Sequence, residues 1–547
     1  MRINKKLLVL AFTLLLFQNL SASDLLTVAE KSNYTKTTLY EDVMNFLFEV
    51  QKKSDLVKIL TLGKSHEGRT IPLVVISEQG ISSAYEMRMI GKPVVLIQAN
   101  IHAGEVEGKE ACLMLIRDIV NGKLKNLLQN QVILVIPDLN ADGNEKLAKG
   151  NRRDNGPELA GVRHNGQNLD LNRDYLKLKS PEITALVKLF NEWDPVLFVD
   201  MHTKNGSYHQ EPVTYCTLSN PNSYIKMLDY MWQKLFPEVQ QNLKKQFGYD
   251  AIPYGNFVDR TNPEKGWENS TCEARYGTNY AGLRNRFTIL DENYPHADFK
   301  TRVLSSYGFI QSILQFTNKN ITEMQKIVKT ADFETKQNFR SQEFVLEYSV
   351  ENLFDLTVKS YEFELEEIKP EDRDKYPSWV KDFIVKKTDV KKNYKLSYFA
   401  RPKPTRSIKL PRGYVVLAHH NYVIENLKKH GIVVEKIRTE VHAEVEQFVI
   451  NEITLSDRIY QGCVFVELKG EYKAVDVTIP PNSFFISLKQ PLARLIPVLL
   501  EPESVDSLVC WSFFNKVLVR QWGKNRPNFY PVYRIHDSEV RFELIQE

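Results

Sequence analysis

The sequence predicts an α/β fold, a mostly parallel mixed sheet with helices on both faces, followed by a C-terminal β-rich, sandwich-like domain. Three observations predict it. From about Leu39 to Asn318 short apolar runs alternate with helical stretches; a charged stretch then runs to about Arg340; beyond it strand-like runs follow one another without regular helices between them. At 547 residues the chain has room for two or three domains. The expected division is a leader over 1–23, an α/β domain over 24–330 and a β-rich domain over 331–547.

The leader comes first. Arg2, Lys5 and Lys6 precede an apolar stretch from Leu7 to Phe17 and the small residues Ser21, Ala22 and Ser23, the three regions of a secretory signal. Cleavage near Ser23 and a secreted or periplasmic location are expected. The apolar stretch is well short of the roughly twenty residues a membrane span needs, and no later segment approaches that length. Of the net charge of +4, the three basic residues of the leader account for most, so no nucleic-acid partner is implied.

In the first domain the strands are Pro72 to Ile76, Pro93 to Ile97, Val132 to Ile136, Val196 to Val199 and Phe287 to Leu290. They are continuously apolar rather than alternating, which requires burial on both faces. Tyr40 to Lys53, Glu107 to Val120, Pro181 to Asn191 and Asp298 to Phe316 read as the covering helices. In the second domain, strands are expected from Phe344 to Leu488, with Lys359 to Lys392 a solvated surface excursion. The five cysteines are scattered and odd in number, so they read as small buried apolar side chains.

The chemistry begins where the second of these strands ends. In Ile97-Gln-Ala-Asn-Ile-His102-Ala-Gly-Glu105-Val-Glu107, an imidazole and a carboxylate stand three residues apart in a strand-to-helix connection, where open α/β sheets place ligands. Such a pair arises by chance about once in a chain of this composition, and His536-Asp-Ser-Glu539 is one. Company separates the two. Asp194-Pro-Val-Leu-Phe-Val-Asp200-Met-His202 is another apolar strand ending in histidine, and two histidines with one carboxylate and an open position form a catalytic zinc set. Glu107 and Glu110 read as surface or helix N-terminal acids. His419-His420 and His442-Ala-Glu444-Val-Glu446 read as the solvent side of β structure rather than a second metal site.

Further segments carry a resemblance. Gly63-Lys-Ser-His-Glu-Gly-Arg69, Pro137-Asp-Leu-Asn140-Ala-Asp-Gly143, Asn151-Arg152-Arg153-Asp154-Asn155 and Asn168-Leu-Asp170-Leu-Asn172-Arg173-Asp174-Tyr175 occur in the order seen in zinc metallocarboxypeptidases related to carboxypeptidase A. The likeness runs over roughly Tyr40 to Asn318, and Tyr280-Ala-Gly-Leu-Arg-Asn-Arg286 resembles a bacterial branch of that family. It implies a carboxypeptidase-like fold and an exported peptidase that hydrolyses a C-terminal peptide bond by metal-activated water, with one Zn2+ per chain. It implies His102, Glu105 and His202 as zinc ligands, and Asn172 and Arg173 as the holders of a substrate's free carboxylate. Asp170 is implied as the acid that orients the first histidine. One arginine of the Arg152-Arg153 pair, Arg153 in preference, is implied to polarise the scissile carbonyl. Glu292 fits the position of the general base, with Asp291 the neighbour that strand alternation could turn inward instead.

Three departures bear on substrate. Gly104 stands where the family often has arginine, and Thr203-Lys-Asn-Gly-Ser207-Tyr208 stands where the pancreatic pattern has Ser-Tyr directly. Asp200-Met-His202-Thr203 resembles the aspartoacylase and succinylglutamate desuccinylase branch. The substrate is thus implied to be a peptide or an acyl-amino acid with a free carboxylate. An amidase or deacylase acting on N-acyl amino acids or cell-wall peptides is the alternative, and an inactive peptidase-fold binding protein is a third reading.

Overall fold

The computed structural model describes residues 25–152, 155–204, 206–376, 380, 382–518, 528–537 and 540–546. The leader, cleavage at Ser23 and the side chain of Arg153 lie outside them. Eight strands form the first sheet: β1 (Val57–Lys64), β2 (Thr70–Ile76), β3 (Val94–Ala99), β4 (Val132–Ile136), β5 (Leu197–Thr203), β6 (Val213–Cys216), β7 (Ala251–Pro253) and β8 (Phe287–Asn293). Their order is β1-β2-β4-β3-β5-β8-β6-β7. The centre, β4-β3-β5-β8, is parallel, with β2, β6 and β7 running against it and β1 running with it. All five predicted strands are present, and their continuously apolar sequences match complete burial of β3, β4 and β5.

The helices explain that burial. Alternate residues of β3 enter different cores: Val94 and Leu96 pack with Phe190, Phe198 and Tyr280, whereas Val95, Ile97 and Ala99 pack with Leu113, Ile116, Phe309 and Ile313. Helices α1 (Tyr40–Lys53), α2 (Glu107–Val120), α3 (Pro181–Trp193), α4 (Gly277–Leu283) and α5 (Phe299–Asn338) supply the covering surfaces. Their ends follow local chemistry. Ser180 accepts from the amide of Ile183 ahead of Pro181, and Asp298 accepts from that of Thr301.

The main departure from expectation in this unit is α5, which continues past Phe316 to Asn338. Ile321, Met324, Val328 and Ala331 are buried at spacings of three and four, an apolar stripe diluted by charges on the solvent side. Glu107 and Glu110 also differ from a surface reading. They do sit in the first turn of α2 but are fully buried: Glu107 accepts from Arg302 Nε at 2.6 Å and Thr203 Oγ1 at 2.6 Å, and Glu110 accepts from Thr37 and Thr38.

The β-rich part is antiparallel in two pieces. Strands β9 (Glu343–Glu367) and β10 (Phe383–Lys409) form one long hairpin. About midway along it Tyr398 and Phe399 pair with Trp267 and Glu268 of the first unit. Lys359 to Lys392 is therefore the outer end of a strand pair, with Lys359 opposite Asn393 and Glu367 opposite Phe383. A seven-stranded sheet follows, built from β11 (Gly413–Val416), β12 (Glu435–Ile437), β13 (Val441–Tyr460), β14 (Cys463–Ile479), β15 (Phe484–Ser487), β16 (Phe529–Ile535) and β17 (Leu544–Gln546). Its order is β14-β13-β16-β11-β15-β12-β17.

The two parts share a core. Leu186 and Phe190 of α3 belong to the same apolar cluster as Val423, Leu427, Leu495 and Phe514. Buried His430 bridges them, facing the Tyr280 hydroxyl at 2.9 Å and the Leu176 carbonyl at 3.0 Å. All five cysteines are free and buried. Among the described residues no helix is long and apolar enough to cross a membrane.

Candidate active site

Two strand ends converge on one point. His102 and Glu105 lie in the connection from β3 to α2, tightened by a bond from the Glu105 amide to the His102 carbonyl at 2.9 Å, while His202 is the penultimate residue of β5. Their side chains are buried and face one another: His102 Nδ1 is 3.1 Å from Glu105 Oε1 and 3.2 Å from His202 Nδ1, which is itself 3.0 Å from Glu105 Oε2. Donor atoms around a tetrahedral zinc with bonds of about 2.1 Å stand roughly 3.4 Å apart, so this spacing suits the ion. Among the described residues no other group of three such side chains could hold a metal.

The far nitrogen of each ring is also occupied. His102 Nε2 lies 3.0 Å from Asp170 Oδ1, and His202 Nε2 lies 2.9 Å from Asp200 Oδ2. With a carboxylate taking the proton on Nε2, the Nδ1 lone pairs are left to point at the centre, as a metal requires. Burial alone would lower the His202 pKa, but Asp200 and Glu105 lift it well above the ordinary imidazole value. Burial likewise opposes ionisation of Glu105, yet His102 and Arg152 hold it well below the usual carboxylate range. The three side chains thus fit a divalent cation in charge as well as spacing.

Asp170 does a second job. Its Oδ1 caps the short helical turn Leu171–Arg173 by accepting from the Asn172 amide at 3.0 Å, which delivers Asn172 and Arg173 to the same cleft. Asn172 Oδ1 accepts from the Gly277 amide at 2.9 Å. Arg173 donates from Nη1 to the Asn172 carbonyl at 2.8 Å and from Nε to the Tyr460 hydroxyl at 3.1 Å, and its guanidinium lies 4.4 Å from the Tyr276 ring centre.

Register distinguishes Glu292 from Asp291. In the parallel pair β5-β8, Glu292 stands opposite His202 and Asp291 opposite Met201, so successive side chains face different sides of the sheet. Glu292 enters the cleft, where its Oε2 is buried and has no hydrogen-bond partner among the described residues. Burial raises its pKa to about 7, with Glu105 adding to that effect and His202 opposing it. Asp291 is turned towards α5 instead, accepting from Ser306 Oγ at 3.1 Å.

The cleft holds about 310 Å³ and is lined by His102, Glu105, Asn172, Arg173, His202 and Glu292 together with Arg152, Arg163, Lys204 and Tyr276. Arg152 donates to Glu105 Oε1 at 2.9 Å and to the Thr203 carbonyl at 2.8 Å. Gly104 makes room for it, because a Cβ there would meet Arg152 Cγ at 2.6 Å and the Gly161 carbonyl at 2.8 Å. Arg163, which carries no motif, donates from Nε to Asp170 Oδ2 at 2.9 Å. Lys204 places its ammonium 4.5 Å from the Tyr254 ring centre and 5.2 Å from that of Trp267. Asp200 was visible only as part of a branch resemblance, and Tyr276, Lys204 and Tyr460 had no sequence signal of their own.

A cleft at the carboxyl ends of a parallel-centred sheet, holding a trio that could bind a cation, a buried acid and several arginines, suits metal-assisted hydrolysis. Residues 43–269 match the family model described as zinc carboxypeptidase, so this stretch of the chain is similar to that family of metallopeptidases. The chain is 23% identical over 496 residues to carboxypeptidase 2 of Trichophyton rubrum, an alignment covering 86% of this chain and 81% of the relative. It is 33% identical over 133 residues to carboxypeptidase Z of Mus musculus, covering 23% of this chain and 19% of the relative. Among solved structures, the metallo-carboxypeptidase from Pseudomonas aeruginosa in complex with (2-guanidinoethylmercapto)succinic acid aligns at 17% identity with a TM-score of 0.39, covering 52% of this chain and 69% of that one. Carboxypeptidase A from Helicoverpa armigera aligns at 18% identity with a TM-score of 0.39, covering 54% and 75%.

Proposed function

We propose that the protein is an exported carboxypeptidase that removes the C-terminal residue of a peptide, with one zinc ion held by His102, Glu105 and His202. The observation that carries this reading is the presence of Arg173 and Asn172 in the same cleft as the metal trio and Glu292. A planar guanidinium matches a carboxylate with two parallel hydrogen bonds, and a chain terminus offers that group next to the bond to be cut.

Bound zinc would supply Lewis acidity, acidifying water and stabilising negative charge on the carbonyl oxygen. Glu292 takes a proton from the attacking water, whose oxygen joins the carbonyl carbon, and passes that proton to the amine as the C–N bond breaks. Arg173 and Asn172 bind the terminal carboxylate, fixing which bond lies over Glu292. Arg152, beside Glu105, is the described arginine assigned to the carbonyl oxygen.

The test uses a blocked dipeptide and its C-terminal amide. Hydrolysis of the free acid with little or none of the amide, lost on chelation and restored by one equivalent of zinc, is expected. Equal turnover of both, or turnover indifferent to chelation, contradicts the reading.

A further inference from the structure

The tip of the β13-β14 hairpin, which belongs to the C-terminal β-rich part, reaches the segment that carries the carboxylate anchor. Tyr460 and Cys463 are its last paired residues, so Gln461 and Gly462 form a two-residue turn with φ values of +52° and +70°. Such turns favour asparagine, aspartate or glycine, because a left-handed backbone strains other side chains. Glutamine is an unexpected choice for the first position. Its side chain accounts for it: Gln461 Oε1 accepts from the Asp170 amide at 2.7 Å. One residue earlier, the Tyr460 hydroxyl accepts from Arg173 Nε at 3.1 Å. Thus both ends of Asp170-Leu-Asn-Arg173 are tied to a hairpin nearly three hundred residues further along the chain.

Tyr460 is itself braced. Its ring centre lies 5.4 Å from that of Phe465 and is stacked 6.4 Å from that of Trp511. On the other side, Arg173 rests 4.4 Å from the Tyr276 ring centre. The guanidinium is therefore held between an aromatic face from the first unit and a hydroxyl from the second. An arginine side chain has much rotamer freedom to lose, and losing it before substrate arrives favours binding.

We propose that Tyr460 is a positioning residue for the substrate carboxylate, so that the C-terminal β-rich part completes the substrate site instead of serving as a separate appendage. The proposal rests on the carboxypeptidase reading, since it assigns Arg173 to a terminal carboxylate. Tyr460 acts through Arg173, leaving the metal trio and Glu292 untouched. Its loss therefore weakens recognition of the free carboxylate without altering the chemical step. Gln461 serves the same end by holding the Asp170 backbone from which Arg173 projects.

The experiment compares full-length, zinc-loaded wild type with Tyr460→Phe and Gln461→Asn on a blocked dipeptide and on its C-terminal amide. Tyr460→Phe keeps the ring and its stacking, and Gln461→Asn suits the turn but is too short to reach the Asp170 amide. For each variant KM for the free acid should rise about five- to tenfold, as expected for one hydrogen bond to a charged group at a partly exposed site. The expected kcat is within twofold of wild type, with unchanged amide hydrolysis, zinc content and melting temperature. If acid and amide hydrolysis fall together, or the acid-to-amide preference of both variants equals that of wild type, the proposal is overturned. If wild type itself shows no preference for the acid, the carboxypeptidase reading fails and the proposal falls with it.

Discussion

Asp170→Asn isolates the support beneath the metal trio. The carboxylate faces His102 Nε2 at 3.0 Å, Arg163 Nε at 2.9 Å and the Asn172 amide at 3.0 Å. Burial opposes its charge, yet His102, Arg173 and Arg163 hold its pKa far below the usual carboxylate range. Asparagine has nearly the same shape and retains one oxygen, which can still accept from the Asn172 amide and the His102 ring. What it loses is the charge that makes the ring a better ligand, and its NH2 group would face the Arg163 guanidinium donor to donor. Replacing a carboxylate that orients a ligand histidine typically weakens metal affinity about 10- to 100-fold, which corresponds to about 1.4–2.8 kcal/mol. Competition with a chromogenic zinc chelator at neutral pH measures the change, with the far-ultraviolet spectrum confirming an unchanged fold. Zinc affinity within twofold of wild type in a folded variant would refute the reasoning.

Other predictions follow from the same geometry. Asp200→Asn should also weaken zinc binding, because Asp200 holds His202 Nε2 at 2.9 Å; an affinity equal to wild type in the chelator assay would remove its assigned role. Gly104→Ala should destabilise by about 1–3 kcal/mol, since the added Cβ collides with Arg152 Cγ at 2.6 Å and the Gly161 carbonyl at 2.8 Å; an unchanged melting temperature would contradict this. For pH, Glu292 works only as the carboxylate, and burial raises its pKa to about 7 with no cation bound. A bound dication favours the charged form, so kcat/KM should fall with acidification along a limb centred below about 7. A rate that rises as the pH is lowered through that range would exclude Glu292 as base.

The parts of the account that were readable in advance are those set by short-range pattern. Continuous Val/Ile/Leu runs gave the parallel strands because such strands are buried on both faces, and His102 and Glu105 lay in one turn after a recognisable strand end. Choosing Glu292 over Asp291 needed the sheet, since alternation fixes that successive residues diverge but only pairing with His202 says which one turns to the cleft. The second half of α5 was obscured because its buried stripe is thin and its other residues are charged. Arg163 was missed because no spacing ties it to Asp170, which it meets through a folded-back loop. Tyr460 and Gln461 lay beyond any local reading: their partners Arg173 and Asp170 are brought to them only by the shared core of the two parts.

Glu292→Gln tests the central claim most directly, because the substitution keeps the size of the side chain and removes only its ability to take a proton. Turnover of the free-acid dipeptide and bound zinc are measured on the same preparation. The account predicts that kcat falls about 10²- to 10⁴-fold while one zinc per chain remains. Full turnover in that variant, or its loss in Asp291→Asn instead, would contradict the account.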